Sequence, residues 1–482
     1  MQGLIERARR VRPAYWAFAG SLLLSWIAVH FEATIAKDAA LYLDAARVFN
    51  EQGFGATLAK FNWPWFSILI GVSQQLTGLS LESLGYLLCA MMMAGTCALM
   101  VDAVASRTPG GGAWACLLVL AMPAYNTFRG DILREYGFWF FSTLALWLAL
   151  RWHARGGWLG GLLIAVVVAT AAVFRLEAVM LMAALFLWLV PGLVAAQGRL
   201  RMLQLVLAPS LALLALLAIL YANERLPLGR FEYYLALLDP RRLFANFNNA
   251  THQLGAILAK YSSDDASAIL LFGFFATTVL TFVKLLGPFS VPFFFRDCRR
   301  AVREHMAQYA PFAWAWVLYF GVLMVFFVQQ LFINSRYASF LNLLAVPLLA
   351  PALMALARRF PRAIKGFVVV AVLVMMANVI SLSAKKTHYV EAGHWLATNA
   401  QRTEQIYQDD PRIAYYAGWG YIAPDKSREA AMSDKHVGSY RYFLLEEKAE
   451  DPNVQEWLQR HQLKILAQFA NRKRATVLVI GR

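Results

Sequence analysis

The sequence predicts a polytopic, all-α membrane protein with one small α/β domain at its C-terminal end. Of its 482 residues, 60% are hydrophobic and only 15% are charged, and apolar runs recur along most of the chain. A soluble protein of this length would need several domains with polar surfaces, which so few charged residues cannot supply. The four cysteines show no metal-ligand spacing, and we expect them to pack rather than to form disulfides.

Eleven apolar segments have the length expected of membrane-spanning helices. They cover residues 14–34, 82–105, 113–128, 136–152, 158–174, 178–196, 202–222, 267–287, 310–331, 338–356 and 366–384. The first follows a basic N-terminus without a convincing cleavage site, so it is interpreted as an uncleaved helix rather than a signal peptide. Residues 63–78 are too short to span and predict an interfacial or re-entrant helix in the first outer loop.

The charges of the loops predict the orientation. With the N-terminus inside, arginine and lysine collect in the inner loops, for example at residues 296–303 and 358–365, and acidic residues collect in the outer loops. This pattern accounts for the formal net charge of +16 without a nucleic-acid partner. It predicts a multi-pass membrane protein with a cytoplasmic N-terminus and a C-terminal domain on the outer side.

The boundary between the two predicted domains lies near residue 384. Residues 1–384 form the predicted transmembrane domain, and residues 385–482 form the predicted soluble α/β domain. In the second domain we expect helices over 391–400 and 454–460 and strands over 404–407 and 440–445. The runs 464–469 and 475–480, separated by polar residues, predict a β-hairpin.

The first charged segment that calls for an explanation follows the first predicted span. If residues 38–49 form a helix, Asp38 and Tyr42 share one face. A purely structural alternative is that Asp38 caps the helix. Asp44 and Arg47 fall on other faces and are expected to be solvated.

The second segment lies in a later outer turn. Asp131 and Glu135 are four positions apart and would project together if the turn were helical, with Arg129 and Arg134 beside them. A local ion-pair cluster at the interface is the alternative.

Two further segments carry charged residues beside apolar runs. Arg175 and Glu177 stand between two predicted spans, and Arg336 and Tyr337 precede a late one. Snorkelling or interfacial anchoring would explain each pair alone. All four segments lie on the predicted outer side, which suggests that the separate helix ends meet at one site.

Such a site suits transfer of a sugar from a lipid phosphate. The arginine fork binds phosphate bidentately and stays charged when it is buried, and a carboxylate can remove a proton from an acceptor. The sequence contains neither a P-loop nor a G-x-G-x-x-G fingerprint, and the proposed donor needs no nucleotide site.

The order of these motifs resembles the GT-C glycosyltransferase superfamily, in particular bacterial relatives of protein O-mannosyltransferases and of lipid A aminoarabinose transferases. The resemblance covers nearly the whole chain. Its motifs are the segment from Asp38 to Arg47, Asn62-Trp63-Pro64, the turn from Arg129 to Glu135, Arg175-Leu176-Glu177, Arg336-Tyr337, Trp395-Leu396 and the segment from Asp410 to Gly418.

The resemblance implies an inverting transfer from a polyprenyl-phosphate sugar to a lipid, glycan or protein acceptor on the outer face. It also implies that the membrane is the bacterial inner membrane and that the C-terminal domain is periplasmic. Asp38 matches the catalytic acid of the family, and Arg336 matches the late arginine associated with the donor phosphate. Many members have a second acid where this chain has Ala39, so Asp131 or Glu135 becomes the candidate partner. The remaining site residues are Arg129 and Arg175 for the donor phosphate, and Tyr42, Trp63, Arg134, Glu177 and Tyr337 for the substrate pocket.

No cofactor is expected to be obligatory, and a divalent metal at Asp38 and Asp131 stays an open possibility. One alternative function is a transporter or flippase of a lipid-linked saccharide, although inverted repeats and charged residues at the membrane midplane are not evident. Another is an inactive scaffold whose outer domain binds partners. The long loop from Glu224 to Ala266 either covers the donor or lies on the membrane as an amphipathic segment.

Overall fold

The structure is a computed structural model that describes residues 12–222, 239–380 and 384–482. Up to residue 380 the described chain is helical, because its long apolar runs satisfy their backbone groups internally. The helices are α1 (Pro13–His30), α2 (Lys37–Lys60), α3 (Trp65–Thr77), α4 (Leu81–Ala105), α5 (Gly111–Ala121), α6 (Pro123–Asn126), α7 (Glu135–Arg155), α8 (Trp158–Phe174), α9 (Met180–Leu189), α10 (Ala196–Ala222), α11 (Pro240–Ile257), α12 (Ala266–Leu286), α13 (Arg296–Met306), α14 (Ala310–Gln330), α15 (Ser335–Arg359) and α16 (Ala363–Ile380). Short 3₁₀ segments cover Leu176–Val179, Val190–Val194, Gly287–Phe294 and Ala307–Tyr309.

Each of the eleven predicted spans coincides with one of these helices or with consecutive ones. Among the described residues, six continuous helical stretches are long and apolar enough to cross a membrane. These are Leu81–Ala105, Leu176–Val194, Ala266–Phe294, Arg296–Gln330, Ser335–Arg359 and Ala363–Ile380. Two further apolar helices, α5 and α8, are shorter. A multi-pass helical membrane protein is therefore established, whereas eleven spans and their orientation stay predictions.

The first loop contains the two helices that the sequence predicts. Helix α2 is longer than expected and kinks at Gly53, whose φ is 82°. Helix α3 corresponds to the short segment at residues 63–78; it begins after Pro64 and ends at Gly78 in a left-handed conformation.

The long loop between α10 and α12 lies partly outside the described residues, since residues 223–238 belong to the part that the structure does not describe. The rest of it contains helix α11. Asp239 caps α11 by accepting the N–H of Arg241, and the helix buries none of its residues. The observed helix fits the amphipathic alternative for this stretch of the loop.

The contacts divide the chain into two compact units. The bundle unit consists of Met1–Leu24, Met91–Arg129 and Glu135–Val379. The loop unit consists of Ser25–Ala90, Gly130–Arg134 and Ile380–Arg482. The loop unit therefore contains the first loop as well as the C-terminal segment that the sequence predicts as a separate domain.

Helix α15 is the central element of the bundle unit. It contacts α5, α12, α13 and α14, and its apolar side chains are almost all buried. A helix that is apolar on all sides is stable only inside such a bundle. Arg336 lies in the first turn of α15, so the packing of this helix fixes the position of Arg336.

The C-terminal part of the loop unit is a small α/β domain, as predicted. Its helices are α17 (Thr387–Asn399), α18 (Arg412–Tyr416), α19 (Arg428–Met432) and α20 (Pro452–His461). Its strands are β1 (Ile406–Gln408), β2 (Tyr442–Glu446), β3 (Lys464–Ala470) and β4 (Thr476–Gly481). A 3₁₀ turn covers Val437–Ser439. The sheet order is β1-β2-β4-β3; β1 is parallel to β2, and β4 is antiparallel to both of its neighbours. The predicted hairpin is confirmed as β3 and β4.

Both faces of this sheet are covered. Leu444 of β2 belongs to a core that also contains Leu396 of α17, whereas the next residue, Leu445, belongs to a second core with Leu458 of α20. Successive side chains of a strand point to opposite faces, so a strand between two cores is apolar at every position.

Candidate functional site

Four of the predicted charged residues meet in the bundle unit. The Glu135 Oε1 atom lies 3.1 Å from Nη1 of Arg175 and 3.2 Å from Nε of Arg336. The Arg175 Nη2 atom donates to Oε1 of Glu177 at 2.5 Å. The Tyr337 ring lies 4.2 Å from the Arg175 guanidinium and 5.5 Å from that of Arg336. We call these five residues the arginine–glutamate cluster.

Each member of the cluster stands at a helix end. Glu135 is the first residue of α7, Arg175 follows the last residue of α8, and Arg336 is in the first turn of α15. Asn334 caps α15 by accepting the N–H of Arg336 at 2.9 Å. A helix end is the place where an apolar helix can carry polar side chains without putting them among its buried apolar residues.

A glycine lets two of these helix ends approach each other. A Cβ atom on Gly137, in the first turn of α7, would lie 2.2 Å from the ring of Phe174, the last residue of α8. Only glycine leaves room for this contact. The close approach brings Glu135 and Arg175 within ion-pair distance.

The cluster contains two positive and two negative charges, and its side chains differ in exposure. The side chains of Glu135 and Arg175 are 3% and 7% exposed, whereas those of Arg336 and Glu177 are 16% and 30% exposed. The second oxygen of Glu135, Oε2, is buried and has no hydrogen-bond partner among the described residues. Arg336 is therefore the more accessible guanidinium, and Glu135 is the carboxylate that joins both arginines.

Asp38 lies in the loop unit, in the first turn of α2. The N-cap position is occupied by Ala36, so Asp38 does not cap the helix, although a carboxylate in the first turn interacts favourably with the helix dipole. Its side chain is half-buried. Burial raises the pKa of Tyr421, and the negative charge of Asp38 adds to that increase.

The expectation that Asp44 is solvated is wrong, whereas the Arg47 side chain is 36% exposed. The side chain of Asp44 is 1% exposed. Its Oδ1 atom accepts a hydrogen bond from Arg47 at 2.7 Å, and its Oδ2 atom accepts one from the backbone N–H of Tyr421 at 2.9 Å. Lys60 forms a second ion pair with Asp44. Lys60 also donates to the carbonyl oxygen of Tyr421 at 3.2 Å. In the sequence, the only signal for this buried carboxylate was that Asp44 and Arg47 are three positions apart on one helix.

The backbone that meets Asp44 requires a glycine. Gly420 has a φ of 85°, and a Cβ atom there would lie 2.5 Å from Oδ1 of Asp44. Burial acts to raise the pKa of Asp44, but hydrogen bonds from Lys60 and Arg47 outweigh it, so that the pKa is lowered. Asp44 therefore stays ionised and holds the tail loop against α2.

A second contact joins the same two parts of the loop unit. Arg412 binds Asp410 in a bidentate ion pair, with distances of 2.8 and 2.7 Å, and its guanidinium lies 4.1 Å from the Tyr389 ring. The backbone N–H of Ile35 donates to the hydroxyl of Tyr416 at 2.8 Å. The tail motif that resembles the GT-C superfamily thus attaches the C-terminal domain to the first loop.

The turn that carries Asp131 and Glu135 is not helical, so the condition under which the two acids would project together is not met. Asp131 lies in a bend, the next residues are irregular, and the helix begins only at Glu135, so the turn gives the two acids no common helical face. Asp131 is half-buried in the loop unit. The nearby Arg134 has a buried Nε without a hydrogen-bond partner among the described residues.

Arg129 does not join the arginine–glutamate cluster, contrary to the expectation that it binds the donor phosphate. Its buried guanidinium donates to Asn126 Oδ1 at 2.9 Å, to the Ser21 carbonyl oxygen at 2.9 Å and to Ser21 Oγ at 2.8 Å. At least three donors are thereby engaged inside the bundle unit. Arg129 fixes the turn after α6 to helix α1.

Two of the three predicted aromatic pocket residues, Tyr42 and Trp63, lie outside the arginine–glutamate cluster and differ in their surroundings. Tyr42 is only 4% exposed and packs against the rings of Phe61 and Phe66 within the loop unit, so it belongs to a core rather than to an open pocket. Trp63 lies half-exposed between α2 and α3. Of the two, Trp63 is the one that a substrate could reach.

A metal site is not evident in the described part of the chain. Among residues 12–222, 239–380 and 384–482, no group of three or more His, Cys, Asp or Glu side chains is arranged to hold a metal ion. The pair of Asp38 and Asp131 therefore gains no third ligand of these types there.

Comparisons with known proteins come from solved structures, since no family model and no curated protein matches the chain. The chain is similar to ArnT from Cupriavidus metallidurans bound to undecaprenyl phosphate, with a TM-score of 0.48 and 12% identity over 97% of both chains. It is also similar to the Archaeoglobus fulgidus oligosaccharyltransferase tethered with an acceptor peptide, with a TM-score of 0.49 and 11% identity over 90% of this chain and 69% of that one. Because both TM-scores lie under 0.5, the case for a function rests on the residues of this chain.

Proposed function

We propose that this protein is a membrane glycosyltransferase of the GT-C kind. It transfers a sugar from a polyprenyl-phosphate donor to a lipid, glycan or protein acceptor. The observation that carries the proposal is the arginine–glutamate cluster, in which two guanidinium groups from separate helices share one buried carboxylate of Glu135. The chain places this costly arrangement at the ends of apolar helices, where an ionisable group suggests a function.

The cluster is suited to a phosphate group at Arg336. A guanidinium has five N–H donors on three nitrogen atoms, and Arg336 approaches Glu135 through Nε, 3.2 Å from Oε1. The first backbone N–H groups of α15 lie at the same helix end and favour a negative charge. In this proposal Arg175 and Glu135 hold the guanidinium of Arg336 in position, and Tyr337 stacks against both arginines.

Asp38 is the proposed general base. It accepts the proton of the acceptor hydroxyl or amine, and the acceptor oxygen or nitrogen forms a bond to the anomeric carbon. The bond between that carbon and the phosphate oxygen breaks, and polyprenyl phosphate leaves with the electron pair. Attack opposite to the leaving group inverts the configuration of the sugar.

A binding experiment tests the phosphate site. Undecaprenyl phosphate is titrated into the purified full-length protein in nanodiscs, with Arg336→Ala as the test variant. Loss of a charge-assisted contact is expected to weaken binding by about ten- to a hundredfold. Arg300→Ala is the control, because the Arg300 side chain is 81% exposed and pairs only with Glu304 among the described residues. Equal affinity of Arg336→Ala and wild type would overturn the site.

A turnover experiment tests the base. Asp38→Asn and Asp38→Ala should bind undecaprenyl phosphate normally but lose transfer from polyprenyl-phosphate sugars. Glu51→Gln, which removes an exposed acid from the same helix, should retain both properties. Unchanged transfer by both Asp38 variants would eliminate Asp38 as the base. Translocation of a lipid-linked sugar by wild type without any transfer would instead support the transporter.

A further inference from the structure

The C-terminal domain contains a cleft of 430 Å³ that no part of the proposed transfer uses. It lies where the start of α17, the end of β2 and the turn between β3 and β4 come together. We call it the tail cleft; it is lined by Ala384, Lys386, His388, Tyr389, Glu446, Glu447, Lys448, Asn471, Lys473, Arg474, Ala475 and Thr476. All of these residues belong to the loop unit.

Positive charge predominates in the tail cleft. Lys386, Lys448, Lys473 and Arg474 line it, against the two acids Glu446 and Glu447. One of these acids is engaged elsewhere, since Glu447 accepts from Arg428 at 3.2 Å. None of the four cations takes part in an ion pair with another residue in the described part of the chain.

One residue in the lining of the tail cleft has a buried polar atom without a hydrogen-bond partner. His388 is 2% exposed, and its buried Nδ1 has no hydrogen-bond partner within the described ranges. A buried polar atom without a partner costs about 1–3 kcal/mol, and a ligand atom that formed a hydrogen bond with Nδ1 would recover this free energy. The surrounding polar groups are the side chains of Asn471 and Thr476.

We propose that the tail cleft binds a phosphate-bearing ligand. Three lysines and the fork of Arg474 supply the charge, and His388 in the lining supplies an Nδ1 atom without a partner. The volume falls within the range of about 300–1,000 Å³ that is usual for small-molecule sites. The inference goes beyond the proposed transfer and does not depend on it.

Two sources of the phosphate share this chemistry. One is the headgroup of an anionic lipid, because Ala384 follows the end of the apolar helix α16 by four positions. The other is a soluble phosphate ester such as a sugar phosphate. Glucose 1-phosphate and inorganic phosphate probe the second source, and nanodiscs with or without phosphatidylglycerol probe the first.

The test uses the full-length protein and a pair of matched double variants. Lys473→Ser/Arg474→Asn removes two cleft cations, and asparagine tolerates the left-handed conformation of Arg474, whose φ is 61°. Arg402→Ser/Arg472→Asn removes two exposed cations that do not line the cleft. Both change the net charge equally, so non-specific attraction is the same in the two variants.

Calorimetric titration with the soluble esters, and thermal stability in the two kinds of nanodisc, give the readouts. We expect binding of at least one probe to weaken tenfold or more in Lys473→Ser/Arg474→Asn and to stay unchanged in Arg402→Ser/Arg472→Asn. A response to the soluble esters identifies a soluble ligand, and stabilisation by phosphatidylglycerol alone identifies a lipid headgroup. Equal losses in the two variants, or the absence of any wild-type response, would overturn the proposal.

Discussion

Removing the carboxylate of Glu135 is the sharpest perturbation of the arginine–glutamate cluster. In Glu135→Ala the guanidinium of Arg175, only 7% exposed, keeps Glu177 as a partner but loses the shared buried one, and Arg336 loses its contact at 3.2 Å. Removing one partner of a buried ion pair typically costs 3–5 kcal/mol. Because Glu177 still compensates Arg175, we expect the lower end, about 3 kcal/mol. The unfolding equilibrium should shift about a hundredfold.

Denaturant unfolding of the purified protein in mixed micelles measures this change, with Glu177→Ala as the matched control. The Glu177 side chain is 30% exposed, so its loss should cost about 1 kcal/mol or less. The double variant Glu135→Ala/Arg175→Met removes the orphaned charge and should recover part of the lost stability. A Glu135→Ala variant that loses no more stability than Glu177→Ala would refute the reasoning.

Three further predictions concern close approaches and acid stability. Gly137→Ala places a Cβ atom 2.2 Å from the ring of Phe174 and should lower both the melting temperature and the affinity for undecaprenyl phosphate, whereas Gly321→Ala meets no atom within 4 Å and should leave both unchanged. Gly420→Ala should destabilise the loop unit by more than about 1 kcal/mol, measured by thermal unfolding, since the residue has a φ of 85° and the new methyl meets the Asp44 carboxylate. Because the pKa of Asp44 is lowered on folding, its stabilisation is present above its ordinary pKa of 3.8 and is lost as the pH falls through the lower folded value. Asp44→Asn should therefore flatten the stability profile at acid pH, and a wild-type profile already flat there would contradict this assignment.

Periodicity and loop charge predicted the helices well because bilayer thickness and backbone satisfaction leave few alternatives. They also located the ends at which Glu135, Arg175 and Arg336 stand. Why these ends meet could not be predicted, since the decisive feature is the missing side chain of Gly137 against Phe174, and a single glycine in an apolar helix gives no such signal.

The differences between sequence-based expectation and structure in the first loop and at residues 131–135 have a common cause. Asp44 looks solvated in a helical projection, but the tail covers it, and no local pattern reveals a partner hundreds of positions away. Likewise, spacing of four positions between Asp131 and Glu135 implies a common face only in a helix, and the turn between them is irregular. Tertiary contacts and turn geometry decided these positions.

The pairing of the first loop with the tail has a consequence for biosynthesis. Ile35 and Tyr416, joined by a hydrogen bond, are 381 positions apart, so the ribosome has made most of the chain before the partner exists. At about 5–20 residues per second, the loop waits roughly 20–80 seconds with its Asp44 carboxylate open to water. Nascent or prematurely terminated chains that lack the last segment therefore expose an unfinished surface, which chaperones and proteases can distinguish from the completed molecule.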